Sequence, residues 1–129
     1  MKVEIEIPSD TIANLMVSLI ENGYSPWIVR IEVHGESLDV VTQGPWYSDP
    51  KFYDQPDFKF QVVENEDDDE DAWIAVHEVD RAKMIEGLQK LAKDKDHCHH
   101  LADMIGWNED ATTADIFMQF ILFGEEKYA

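Results

Sequence analysis

The chain has 129 residues, with ten basic side chains against 28 acidic ones and a net charge of −18. Such a field repels DNA, RNA and anionic membranes and draws in basic surfaces. A hydrophobic fraction of 44% supplies the core of one domain over residues 1–129, and a single cysteine, Cys98, excludes an internal disulfide.

The N-terminal residues lack the basic and long apolar stretches of a secretion signal. The longest apolar run, residues 116–123, is interrupted by Gln119 and is too short to span a bilayer. The expectation is a cytoplasmic protein.

Taken in chain order, Val3, Ile5 and Ile7 alternate with Lys2, Glu4 and Glu6, which predicts a half-buried strand ended by Pro8. Ser9 or Asp10 then caps a helix whose apolar face is Ile12, Leu15, Met16, Leu19 and Ile20, stopped at Asn22-Gly23. Residues 27–34 read as a strand with Val29, Ile31 and Val33 on one face. Gly35, Glu36 and Ser37 turn it into a partner strand over residues 38–42.

Residues 43–57 break the pattern with Pro45, Pro50 and Pro56, which forbid a continuous helix or a central strand. The same stretch concentrates Trp46, Tyr47, Phe52 and Tyr53 around Lys51. It reads as an ordered aromatic loop that is a ligand pocket, an interface or a lid over the sheet. Residues 58–63 return to strand, with Phe58, Phe60 and Val62 inward, and residues 72–78 answer it. The tip between them holds Glu64, Glu66, Asp67, Asp68, Asp69, Glu70 and Asp71, broken only by Asn65.

Three helices complete the chain. Asp80 caps the first, with Met84, Ile85, Leu88, Leu91 and Ala92 as its buried stripe. The second runs over about residues 96–105 and is ended by Gly106. The third carries Ile116, Phe117, Phe120, Ile121 and Phe123 and is too apolar for a surface helix, so it is expected at the centre of the core. The order β-α-β-β-β-β-α-α-α predicts an α+β domain: a largely antiparallel sheet of about five strands with helices on one face.

His97, Cys98, His99 and His100, with Asp94, Asp96 and Asp103 nearby, carry zinc-ligand chemistry. A structural zinc site needs a second ligand pair at a distance, and His34 and His77 do not supply the spacing. The expectation is a solvated, polar helix start, with no metal and no cofactor. Asp67, Asp69 and Asp71 alternate as in a calcium loop, but Ala72 stands where the EF-hand glycine belongs. No nucleophile–base pair or phosphate-binding glycine loop is present, so no catalytic residue is assigned and the chain is not expected to be an enzyme.

The run Asn108-Glu109-Asp110-Ala111-Thr112-Thr113-Ala114-Asp115-Ile116-Phe117 is followed by Leu122-Phe123-Gly124-Glu125 and Tyr128. With Gly23-Tyr24-Ser25-Pro26-Trp27 and Ile85-Glu86-Gly87-Leu88-Gln89, it resembles small acidic proteins of bacteriophages and prophages. The resemblance implies a phage accessory protein in a bacterial host cytoplasm, of a kind that often binds and disables host or defence proteins. Joined to the charge, it predicts an anti-defence inhibitor that engages a basic protein surface, including one built to hold nucleic acid. The acidic tip from Glu64 to Asp71 is the expected contact, without direct binding of nucleic acid or membrane. The alternative is a protein that sequesters a nucleotide or other small ligand with Trp46, Tyr47, Lys51, Phe52 and Tyr53.

Overall fold

A computed structural model describes residues 7–21, 25–33, 45–65, 75–106 and 110–128. Five α-helices are described: α1 (Ser9–Glu21), α2 (Pro50–Asp54), α3 (Arg81–Lys93), α4 (His99–Ile105) and α5 (Ala111–Phe123). With them stand strands β1 (Ile28–Glu32), β2 (Lys59–Glu64) and β3 (Ala75–Asp80), and a 3-10 turn at Trp46–Ser48. The α+β class is as expected. The five-stranded sheet and its order are not: among the described residues the sheet has three antiparallel strands, β1-β2-β3, with β2 in the middle. The strands expected over residues 3–7 and 38–42 fall on residues outside the described ones, save Ile7, which lies in no strand and packs against the core. No helix among the described residues is long and apolar enough to cross a membrane.

The aromatic stretch is the second correction. Asp49 accepts a hydrogen bond from the Lys51 N–H at 2.9 Å, and Pro50 takes the first helical position, where its missing N–H costs nothing. The result is the short helix α2, packed with the 3-10 turn against α1. Ser9 does not cap α1. Pro8 supplies the carbonyl for the first turn, and the Ser9 hydroxyl donates to Asp54 on α2.

Two strands depart from simple alternation for visible reasons. Ile28 pairs with Glu64 and Arg30 with Val63, so β1 carries one extra residue, a bulge at Val29. The bulge turns Ile28 inward together with Ile31, and Val29 stays half-buried. On β2, Phe60 and Val62 alternate as expected, but Val63, Glu64 and Asn65 are also buried, because both faces of the strand end are covered.

The last helix is central, as its sequence demanded. Nine consecutive-turn positions of α5, from Thr113 to Leu122, are buried, with Phe117, Met118 and Gln119 wholly so. Asp110 caps it through the Thr113 N–H at 2.9 Å, and Gly124 ends it in the left-handed region at φ 72°. α3 lies against α5 through Gly87, where an added methyl would strike the Ile121 backbone and come within 2.7 Å of the Phe120 carbonyl. The buried stripe of α3 is therefore Met84, Gly87 and Leu91. Ile85 is exposed, as is Ala92.

Candidate functional site

The site is organised by one polar residue inside the most apolar helix. Gln119 is fully buried on α5. Its Oε1 accepts from the backbone N–H groups of Lys127 and Tyr128, both at 2.8 Å. Its Nε2 donates to Asp115 Oδ2 at 2.7 Å and to the Tyr128 carbonyl at 3.0 Å. A glutamine amide offers two donors and one two-lone-pair acceptor, and here every one is used. Segment 125–128 is thereby folded back onto α5.

That segment reaches β2. Glu64 is 2% exposed and accepts from Lys127 Nζ at 2.5 Å, from the Tyr128 hydroxyl and from His77 Nε2 at 2.9 Å. Burial pushes its carboxyl up, but the hydrogen bonds from Lys127, Tyr128 and His77 outweigh it and hold the group below its ordinary value. Glu64 also raises the Lys127 ammonium in return.

Tyr128 stacks on Trp27, with centroids 5.5 Å apart and planes 8° from parallel. The Trp27 indole N–H donates to Asp115 Oδ1 at 2.7 Å. Beside this pair opens a cleft of about 450 Å³. Ser25, Trp27, Thr112, Asp115, Glu126 and Tyr128 line it, and among the described residues no lysine or arginine does. The cleft thus sets two carboxylates, Asp115 and Glu126, beside the rings of Trp27 and Tyr128. Residues as far apart in sequence as Trp27, Asp115 and Tyr128 meet at this cleft.

Of the residues expected to act, the structure describes Glu64 and the aromatic group. Glu64 is not on an exposed acidic tip: it is an interior carboxylate satisfied by three donors, because segment 125–128 closes over it. Glu66, Asp67, Asp68, Asp69, Glu70 and Asp71 lie outside the described residues. In the aromatic group, Phe52 is 0% and Tyr53 4% exposed, and the Tyr53 hydroxyl donates to the Tyr47 carbonyl at 2.8 Å. Trp46 leans on Phe52 and Phe60 at 5.0 and 5.6 Å. Lys51 stands exposed on the other side of α2. Phe52 and Tyr53 thus belong to the core, and Trp46 and Tyr47 are half-buried against it.

The helix start at His97 is not solvated as expected. His97 Nδ1 meets Asp94 at 2.8 Å, Nε2 meets Glu126 at 3.5 Å, and the ring packs on Phe120. The Asp94 carboxylate, aided by Glu126, raises its pKa above 6.5 despite partial burial. His100 is 9% exposed, with Nδ1 3.1 Å from Thr113 Oγ1, and burial together with His99 lowers its pKa. Sequence reasoning missed the cleft, because Asp115 and Glu126 read as ordinary surface acids. The signal available was Gln119, a polar residue amid an apolar run.

No protein family matches the chain, and neither characterised proteins nor solved structures yield a significant match.

Proposed function

We propose that this chain is a binding protein that engages a basic surface of a partner protein, in the manner of a phage accessory inhibitor of a host or defence protein. The observation that carries the reading is the acidic cleft at Asp115 and Glu126 in a molecule of net charge −18. Five of the described cations are already held by acidic or carbonyl groups. Lys127 is drawn onto Glu64, Lys90 onto Glu86, Lys59 onto Glu78 and Arg30 onto Glu32. Arg81 is spent on the carbonyls of Tyr53 and Gln55 at 3.0 Å. A cationic side chain of the partner would enter the cleft between carboxylate and ring, and the acidic residues 66–71 would add to the attraction at longer range.

The test is titration of an arginine-rich peptide, followed by calorimetry at low and high salt. Binding should weaken steeply with salt. It should also weaken in Glu126→Gln and in the variant with Asp67, Asp68, Asp69 and Asp71 replaced by Asn, and persist in Trp46→Ala. Undiminished binding by both charge variants, with loss in Trp46→Ala, would sink the reading.

A further inference from the structure

The cluster at the start of α4 is used by nothing described so far. His99, His100 and Asp103 each bring a ligand atom within 4.8 Å of the others. Helical spacing does part of this, since His100 and Asp103 are three apart and His99 and Asp103 four apart, all on one flank. The two imidazoles face each other with centroids 4.1 Å apart, and His100 Nδ1 stands 4.0 Å from an Asp103 oxygen.

We propose that His99, His100 and Asp103 form a binding site for a borderline divalent transition metal, with zinc as its natural occupant and water as the remaining ligand. The donor set selects the metal class. Calcium and magnesium demand oxygen ligands throughout, whereas two imidazoles and a carboxylate suit zinc, nickel or cobalt. Three protein ligands and one open position match the zinc sites that keep an exchangeable ligand. A tetrahedral zinc site brings its ligand atoms to about 3.4 Å from one another, given bonds of about 2.0–2.1 Å. The closing movement falls on His99, which is exposed, and Asp103, which is half-buried, so side-chain rotation suffices.

His100 is the fixed point. It is nine-tenths buried, and the contact of its Nδ1 with Thr113 Oγ1 on α5, at 3.1 Å, fixes the ring plane. His97 is not part of the site, because Asp94 and Glu126 hold both its nitrogens. All three ligands lie on α4, so the ion would stiffen the start of that helix.

The experiment uses the full chain without a histidine tag, stripped of metal and titrated with Zn²⁺ by calorimetry. One ion per chain and a rise in melting temperature are expected, and excess Mg²⁺ or Ca²⁺ should not compete. Co²⁺ in place of zinc should show the visible absorption of a tetrahedral nitrogen–oxygen set. His99→Gln and Asp103→Asn, both away from the core, should leave the metal-free melting temperature unchanged and each weaken zinc by at least about tenfold. Absence of zinc binding overturns the proposal. So does equal zinc binding by the His99→Gln/Asp103→Asn double variant, or displacement by Mg²⁺, either of which would trace the binding to diffuse acidic attraction.

Discussion

At Gln119 one amide decides where four residues go. Replacing it by Leu keeps the volume but strands two backbone N–H groups and takes the donor from Asp115 Oδ2. Gln119→Leu should cost about 1–3 kcal/mol and free segment 125–128, which proteolysis or amide exchange would report. Lys127→Met removes one of three donors to the buried Glu64 carboxylate. A loss of about 1–3 kcal/mol is expected there too, from the uncompensated charge. Because the Glu64 pKa is lowered from 4.5 in the fold, its contribution is present above that pH and is lost as pH falls through the folded value. Glu64→Gln should therefore flatten the acid limb of the stability–pH curve. His97 runs the opposite way. Its pKa is raised from 6.5, so its contribution is complete below that pH and fades as pH rises through the raised value. Thermal melts from pH 5 to 9 of the parent and His97→Gln check the sign, and parallel curves would refute it.

Among the elements, α5 and its contact with α3 set the fold. Phe117 and Phe120 are 0% and 1% exposed, so Phe117→Asp and Phe120→Asp should each unfold the domain, since a lone buried charge is too costly to keep. Circular dichroism decides this, and folded variants of both would show that α5 is not the core. Gly87→Ala is the finer probe. In a free helix alanine gains about 1 kcal/mol over glycine. Here its methyl meets the Ile121 backbone, which cannot rotate away, so a net loss of about 2 kcal/mol or more is expected. A stabilised Gly87→Ala would mean that α3 and α5 lie farther apart.

For the whole molecule, charge is the controlling quantity. At net −18, self-repulsion opposes compaction, and added salt should raise the melting temperature. The variant with Asp67, Asp68, Asp69 and Asp71 changed to Asn should melt at the same temperature or higher, while losing rate and affinity toward a basic partner. A variant that melts lower would show those carboxylates to be structural.

Hydrophobic period alone determined α1, β2, the three helices after residue 80 and the central place of α5, because the spacing of apolar residues along a chain fixes which face must be buried. It also determined the α+β class. It did not determine what covers each face. Val29 read as an inward residue until a bulge turned Ile28 in its place, and a bulge is set by pairing with β2 rather than by β1 itself. The aromatic stretch read as a loop because Pro50 breaks helices in their interior, yet at a first turn the same proline starts one. Glu64 read as surface because it adjoins an acidic run. Only the return of segment 125–128, held by Gln119, buries it and brings Asp115, Glu126, Trp27 and Tyr128 to one cleft. Contacts between residues 60 and more positions apart leave no local period, and so the site belonged to the tertiary structure alone.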